Sequence, residues 1–253
     1  MIASIRAVIF DLGDTLIYDK DPWPPIFRRA DLALLQALGA AGCRVEPRAL
    51  FRGQRGLLGL YYNRRGDDPE EETTAVLLKQ LLSEQGCTNM SDDIVAEALR
   101  AMYTVTQSNW YPEADAVPTL HTLRERGFRL GLISNAADDA NTQALIDKGG
   151  FRPYLEFIRS SATLGKRKPH PAIFQAALDY FQVPANQALM IGDLLETDIL
   201  GANRVGMKSV WITRRIDSIE PVERLAPAAA GGEGARPDAV VSALSEIPPL
   251  LAG

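Results

Sequence analysis

Five residues of the sequence have side chains that could act together on one substrate. They are Asp11, Ser134, Asn135, Lys168 and Asp193. The two carboxylates are hard oxygen ligands of the kind that Mg²⁺ prefers, with water or substrate oxygens completing the coordination. The lysine can neutralise a phosphoryl group, and the hydroxyl and the amide can donate hydrogen bonds to its oxygens. A fold that gathers these residues can hold a divalent cation and an oxyanion together.

The positions of these residues along the chain indicate such a fold. Asp11, Ser134 and Asp193 each follow a short apolar run, directly or after a glycine, which is typical of a buried strand in a parallel sheet. From residue 111 onward such runs alternate with helical periods, which predicts an α/β, Rossmann-like, doubly wound parallel sheet. The predicted strands cover residues 5–10, 129–133, 156–159, 188–191, 209–213 and 239–241. Ligands of open α/β sheets bind beyond the carboxyl ends of the strands, where these polar residues lie.

The sequence between the first two predicted strands has a different pattern. Residues 24–110 show apolar residues at helical spacing and no convincing strand. The acidic run 67–72 suits the N-terminus of one of these helices, because carboxylates there interact favourably with the helix dipole. We therefore expect an all-helical domain over residues 18–110, inserted into an α/β domain that residues 1–17 and 111–253 form.

Composition and charge limit the kinds of molecule that the protein is expected to bind. Hydrophobic residues make up 46% of the 253 residues and charged residues 23%, which is typical of a globular protein. The net charge of -5 argues against nucleic acid or an anionic membrane as a partner, whereas a local cation could still attract a small anionic substrate. The sequence has neither a membrane-spanning apolar run nor the pattern of a signal peptide. We expect a cytoplasmic protein, monomeric or homodimeric.

Two smaller features complete the expectations from composition. Cys43 and Cys87 are the only cysteines, which is too few for a disulfide framework in a chain of this length, so we expect both to be reduced thiols. Residues 216–237 are rich in alanine, glycine and proline, and this composition predicts an exposed, mobile loop.

Four motifs, taken in order, resemble those of the haloacid dehalogenase superfamily of hydrolases, most of whose members are Mg²⁺-dependent phosphatases. The motifs are Phe10-Asp11-Leu12-Gly13-Asp14-Thr15-Leu16, Leu132-Ile133-Ser134-Asn135, Lys168-Pro169-His170-Pro171-Ala172-Ile173-Phe174, and Ile191-Gly192-Asp193 followed by Asp198. Four motifs in this order at suitable spacing are a much more specific signal than any one alone. Residues 18–110 occupy the place of the family's helical cap.

The resemblance implies catalytic and phosphate-binding roles for four residues. Asp11 is the implied nucleophile, which forms an aspartyl-phosphate that water then hydrolyses. Ser134 and Asn135 would hold phosphoryl oxygens, and Lys168 would orient both Asp11 and the phosphate. The substrate implied is a small phosphorylated metabolite, and the cap would close over it to exclude water and select it.

The resemblance also implies a magnesium site at the same sheet edge. The implied ligands are Asp11, the backbone carbonyl of Gly13, and Asp193. Mg²⁺ bound there would offset charge on the transferring group. Asp198 would hydrogen-bond to a metal ligand or hold a metal-bound water.

Position 13 departs from the family pattern. The family's phosphatases usually carry a second aspartate two residues after the nucleophile, which protonates the leaving group and later activates water. Here that position is Gly13, and the spare carboxylate is Asp14. Asp14 either reaches the site through a changed loop or accepts hydrogen bonds from local backbone amides. In the second case the leaving group needs no acid, or the substrate supplies its own, or turnover is slow, because a positioned acid–base group typically contributes roughly 10²–10⁴-fold.

This departure leaves alternatives open. The family's metal-independent 2-haloacid dehalogenases also lack the second aspartate, although Asp193 with Asp198 favours a phosphatase. The phosphonate-cleaving branch uses a cap lysine, for which Lys79 is the candidate, but a solvated surface lysine is the simpler interpretation of that residue. The protein could also be a weakly active or inactive family member that serves as a binding protein.

Overall fold

A computed structural model describes residues 2, 4–47, 56–65, 70–215 and 235–251, with the backbone alone for residues 62–65. The strands are β1 (Ala7–Phe10), β2 (Ile17–Asp19), β3 (Trp110–Pro112), β4 (Arg129–Ser134), β5 (Phe157–Ser160), β6 (Ala188–Gly192), β7 (Lys208–Ile212) and β8 (Ala239–Val241). Six of them form a sheet in the order β5-β4-β1-β6-β7-β8, and every pair in it is parallel. This sheet confirms the predicted fold class.

In chain order, the helices of the described residues are α1 (Trp23–Ala40), α2 (Gly56–Arg65), α3 (Thr74–Glu84), α4 (Asp92–Gln107), α5 (Ala116–Glu125), α6 (Asp139–Lys148), α7 (Ser161–Leu164), α8 (Pro171–Phe181), α9 (Leu200–Val205) and α10 (Ile247–Leu250). One π-helical turn, Leu195–Ile199, directly precedes α9. None of these helices combines the length and the apolar character needed to cross a bilayer.

The central strand β1 is buried on both faces. Val8 and Phe10 belong to one hydrophobic cluster, which also contains residues of α5 and α6. Ala7 and Ile9 belong to a second cluster, which contains residues of α8 and α9. Side chains alternate between the two faces of a strand, so helices on both sides require every residue of β1 to be apolar. This explains why β1 appears in the sequence as an unbroken apolar run.

The four helices α1–α4 lie between β2 and β3 in the chain and share a separate hydrophobic cluster. Strands β2 and β3 pair antiparallel, with Ile17 opposite Pro112 and Asp19 opposite Trp110. Helix α4 begins after Ser91, whose hydroxyl accepts a hydrogen bond from the Ile94 N–H at 3.3 Å, as expected of an N-cap serine. The helical segment α1–α4 is therefore connected to the α/β part through two adjacent strands.

Cys43 and Cys87 form a disulfide with Cα atoms 5.9 Å apart, so the expectation of reduced thiols is wrong. Cys43 follows the end of α1 and Cys87 follows the end of α3. Packing of these two helices brings their ends together, and a count of cysteines in the sequence does not contain that information.

Glu70, Glu71 and Glu72 do not open a helix, which corrects the expectation for the described part of the acidic run 67–72. Helix α3 begins at Thr74, and its N-cap is Thr73, whose hydroxyl accepts from the Val76 N–H at 3.4 Å. Residues 67–69 lie outside the described residues, as do residues 216–234 of the predicted mobile loop.

Candidate active site

The sheet brings Asp11, Ser134 and Asp193 to one edge. Strand β1 lies between β4 and β6, and all three run in the same direction. Asp11 and Asp193 directly follow β1 and β6, and Ser134 ends β4. The Asp11 N–H donates to the carbonyl of Ile191 at 2.9 Å, so the backbone at Asp11 continues the sheet ladder before the chain turns away.

Lys168 reaches this edge from the loop before α8 and pairs with two carboxylates. Its Nζ donates a short hydrogen bond to Asp11 Oδ1 and a second one, of 3.0 Å, to the Ile133 carbonyl. The same Nζ lies 2.7 Å from Asp198 Oδ1. The side chains of Lys168 and Asp198 are almost completely buried, and a buried charge is tolerated when it is paired and hydrogen-bonded.

Asn135 holds the backbone of Lys168. The Asn135 Oδ1 accepts from the Lys168 N–H at 2.8 Å, and Asn135 Nδ2 donates to the Lys168 carbonyl at 3.0 Å. The peptide bond from Lys168 to Pro169 is cis. In this structure Asn135 therefore positions the lysine loop, and its contact with phosphate stays a prediction.

Asp11, Asp193 and Asp198 form an acidic cluster. Each offers one carboxylate oxygen, and these oxygens lie within 4.8 Å of one another. Asp198 Oδ1 is buried. Among the described residues it forms an ion pair with the Lys168 ammonium but has no well-aligned hydrogen bond. Three carboxylates with an incompletely bonded buried oxygen fit the hard, oxygen-only ligation of Mg²⁺.

The acidic cluster leaves no room for a side chain at Gly192. A Cβ there would lie 2.3 Å from Asp198 Oδ2. The same oxygen accepts from the Leu194 N–H at 3.1 Å. Glycine at this position therefore lets the backbone of β6 approach Asp198 closely, and Asp198 in turn fixes the turn that follows Asp193.

Burial and neighbouring charges shift the pKa values of Asp11 and Lys168. Burial, with a smaller contribution from Asp198, raises the pKa of Asp11 to about 6, and the attraction of Lys168 offsets this only in part. Burial alone would lower the pKa of Lys168, but Asp11 and Asp198 outweigh it and hold the pKa above its ordinary value. Near neutral pH the site therefore contains an ionised Asp11 beside a charged lysine.

Position 13 faces an aromatic ring. A Cβ on Gly13 would meet Trp110 Cη2 at 3.8 Å, which is ordinary van der Waals contact. Asp14 has a φ of 50°, in the left-handed region that aspartate tolerates better than most residues. Asp14 is half-buried and is not a member of the acidic cluster.

The helical segment contacts the α/β part close to these loops. Ser161 Oγ donates to Glu71 Oε2 at 2.5 Å and accepts from the Ala136 N–H at 2.8 Å. Glu70 forms an ion pair with Lys166, and the Thr74 N–H donates to the Ala137 carbonyl at 3.1 Å. Sequence reasoning missed these contacts, because Glu71 and Ser161 are 90 positions apart and neither belongs to a motif.

Lys79 lies on the surface of the helical segment. Its Nζ donates to Asp92 Oδ1 at 2.5 Å, and 44% of its side chain is exposed. This placement agrees with the interpretation of Lys79 as a solvated surface lysine.

The family of the chain follows from a match over most of its length. The haloacid dehalogenase-like hydrolase family matches residues 5–206, and a HAD-hydrolase-like family matches residues 166–247. The protein belongs to the haloacid dehalogenase-like hydrolases, as the four sequence motifs suggested.

Similar proteins include both phosphatases and a dehalogenase. The chain is 29% identical over 231 residues to the glyceraldehyde 3-phosphate phosphatase of Methanopyrus kandleri, covering 86% of this chain and 88% of the relative. It is 29% identical over 243 residues to the phosphoserine phosphatase of Thermus thermophilus, covering 86% and 92%. A crystal structure of 2-haloacid dehalogenase from Pseudomonas syringae pv. Tomato matches with a TM-score of 0.67 and 25% identity, covering 97% of each chain.

Proposed function

We propose that the protein is a Mg²⁺-dependent phosphatase that hydrolyses a small phosphate ester through an aspartyl-phosphate on Asp11. The observation that carries this proposal is the cluster of Asp11, Asp193 and Asp198, in which the buried Lys168 pairs with Asp11 and Asp198. Three carboxylates and one ammonium leave a net charge of about -2, which by itself would repel a phosphate. A divalent cation in the acidic cluster cancels that charge, so the cluster favours a metal-dependent reaction on an anion.

The proposed reaction has two displacements at phosphorus. In the first, a carboxylate oxygen of Asp11 attacks, a bond forms between that oxygen and phosphorus, and the bond from phosphorus to the leaving-group oxygen breaks. In the second, water attacks phosphorus, the bond to Asp11 breaks, and inorganic phosphate leaves with the carboxylate restored. Lys168 holds the attacking carboxylate in place and offsets negative charge throughout.

Mg²⁺ would be held by Asp11, Asp193 and the backbone carbonyl of Gly13, with Asp198 beside it. Bound Mg²⁺ supplies charge neutralisation for the transferring phosphoryl group. Its proximity would also keep Asp11 ionised, because a nearby positive charge opposes the pKa increase that burial causes.

The leaving group must receive a proton without an acid at position 13. Asp14 is not in the acidic cluster, and Gly13 faces Trp110. We infer that the natural substrate has a leaving group that departs with little protonation or supplies its own proton. We therefore expect slow turnover of ordinary alkyl phosphates.

We also propose that residues 18–110 act as a cap over this edge of the sheet. The hydrogen bond from Ser161 to Glu71 and the ion pair between Glu70 and Lys166 lie next to the loops that carry Asn135 and Lys168. Strands β2 and β3 connect the cap to the α/β part. Breaking these contacts would admit substrate, and re-forming them would exclude water.

The deciding experiment measures phosphate release from a panel of phosphorylated metabolites. We expect Mg²⁺-dependent release that EDTA abolishes, and a loss of roughly 10³-fold or more in Asp11→Asn, because the amide is not a nucleophile. Asp92→Asn is the matched control, since Asp92 is an exposed aspartate of the helical segment. Release that persists in both EDTA and Asp11→Asn would contradict the proposal.

A second candidate is metal-independent dehalogenation of a 2-haloacid. Gly13 favours it, together with the match to the Pseudomonas syringae dehalogenase structure. In that reaction Asp11 would displace halide from carbon, and water would hydrolyse the resulting ester. Halide release from 2-chloropropionate in EDTA would establish this activity, and its absence under all metal conditions would remove it.

A further inference from the structure

Trp211 contacts the backbone of a residue in the acidic cluster. Its indole Nε1–H donates to the Asp193 carbonyl at 2.8 Å. Trp211 in β7 is the register partner of Gly192 in β6, so its side chain reaches one residue beyond the end of that strand. An indole N–H can only donate, so the Asp193 carbonyl is the acceptor of this hydrogen bond.

The chain on either side of Asp193 is also constrained. The Leu194 N–H donates to Asp198 Oδ2 at 3.1 Å, and Gly192 is packed so closely against Asp198 that a Cβ would not fit. Trp211 and Asp198 therefore hold the carbonyl and the N–H of the same peptide unit, which joins Asp193 to Leu194. Removing the indole N–H would leave this peptide unit with only the hydrogen bond from Leu194 to Asp198 and so loosen the position of Asp193.

The three carboxylates of the acidic cluster have different contacts. Lys168 pairs directly with the carboxylates of Asp11 and Asp198. Asp193 is half-buried, and Thr15 Oγ1 lies 3.5 Å from its Oδ1, which is long for a hydrogen bond between oxygens. The hydrogen bond from Trp211 acts on the main chain of Asp193 and, at 2.8 Å, is shorter than the Thr15 contact.

We propose that Trp211 is a positioning residue that sets the affinity of the acidic cluster for Mg²⁺ by holding Asp193. The inference rests on the proposed metal-dependent function. Groups that hydrogen-bond to a metal-ligating residue fix its orientation, and their removal typically weakens metal binding by roughly 10–100-fold. Trp211 touches Asp193 through the main chain, so it would act on metal affinity and not on the chemistry at phosphorus.

The test compares Trp211→Phe with Trp23→Phe in the intact protein. Phenylalanine keeps an aromatic ring but lacks the N–H, and Trp23 lies in the helical segment, stacked on Phe27. Calorimetric titration with Mg²⁺ should give a Kd about 10-fold higher in Trp211→Phe and unchanged in Trp23→Phe. At saturating Mg²⁺ the kcat of Trp211→Phe should return to within about twofold of the wild-type value, a recovery that general misfolding would not allow.

The outcomes separate the two proposals. Wild-type protein that binds no Mg²⁺ overturns the proposed function and this inference together. Wild-type protein that binds Mg²⁺ with the same Kd as Trp211→Phe overturns this inference alone.

A fluorescence measurement tests the inference even if Trp211→Phe does not fold. The chain has three tryptophans, so the double variant Trp23→Phe/Trp110→Phe leaves Trp211 as the single emitter. Mg²⁺ that binds beside Asp193 should change the emission of Trp211 along the calorimetric binding curve. Calorimetric binding with no change in emission would contradict the contact between this indole and the metal-binding residue.

Discussion

The α/β part and the helical segment both bury carboxylates, but they offset the free-energy cost of that burial differently. Asp11 and Asp198 lie against Lys168, so opposite charges occupy the same buried space. Asp31 in α1 is 3% exposed. Burial raises its pKa to about 7, against a weaker opposing hydrogen bond from the Leu57 N–H.

This difference shows what the lysine contributes. Burial also raises the pKa of Asp11, but Lys168 limits the rise to about 6, so Asp11 remains ionised near neutral pH and available as a nucleophile. At Asp31 a backbone N–H gives weaker compensation than a full charge, so folding favours the protonated acid. Charge pairing thus keeps one buried carboxylate reactive, while the other is closer to neutral.

The two parts also differ in how distant segments are joined. In the α/β part, six strands hydrogen-bond into one sheet. In the helical segment, a disulfide between Cys43 and Cys87 connects the ends of α1 and α3. The helical segment thus adds a covalent link to the packing of its shared hydrophobic cluster.

The largest expected effect comes from Lys168→Met, which removes the cation from between Asp11 and Asp198. Phosphate release should fall by roughly 10²–10³-fold, and the free energy of unfolding should fall by about 3–5 kcal/mol, because a buried carboxylate loses its partner. Lys79→Met is the matched control: it breaks an exposed ion pair with Asp92 and should cost at most about 1 kcal/mol. Denaturant unfolding and phosphate assays measure both, and equal stability losses would show that the buried pair is no different from a surface one.

A smaller effect is expected from opening the disulfide with Cys43→Ser/Cys87→Ser. The bond joins residues 44 positions apart, for which chain entropy predicts a loss of up to about 4 kcal/mol in unfolding free energy. Because the acidic cluster lies in the other part of the molecule, kcat at saturating Mg²⁺ should stay within about twofold. Thiol titration of the purified, unreduced protein is the direct check, and two reactive thiols would refute the disulfide.

The smallest of the three effects concerns the pH dependence of stability. Asp31 has a folded-state pKa of about 7 against an ordinary value of 3.8. The folded protein therefore binds a proton that the unfolded chain has lost, and stability falls as pH rises from about 4 to 7, then levels off. Asp31→Asn should remove this contribution and raise the unfolding free energy at pH 8 by about 2–4 kcal/mol, since each pKa unit corresponds to about 1.4 kcal/mol.

Below pH 4 the two proteins should have nearly equal stability, because Asp31 is then protonated in both folded and unfolded wild-type chains. Urea unfolding of wild type and Asp31→Asn at pH 4, 6 and 8 measures the difference. Parallel stability curves across this range would show that Asp31 titrates normally, and the contrast with Asp11 would then disappear.

Several features of the fold and the candidate site could be predicted because their signals are local. Fully apolar runs identified the strands of a parallel sheet, and the polar residue after each run marked the sheet edge where Asp11, Ser134 and Asp193 lie. The described part of the acidic run, Glu70 to Glu72, gave a wrong helix start, because Glu70 and Glu71 form contacts with Lys166 and Ser161. Such partners lie far away in the sequence and override the local preference for a helix N-terminus.

Sequence alone determined the family, the parallel sheet and the residues at its edge, because strand burial and motif order can be read from neighbouring positions. The motifs also implied that Lys168 would reach Asp11, which lies 157 positions away. Only the tertiary structure joined the two cysteines and set Trp110 against Gly13. It also brought the Trp211 indole to the Asp193 carbonyl. These contacts depend on the packing of whole helices and strands, and no local pattern of residues encodes which distant side chains will meet.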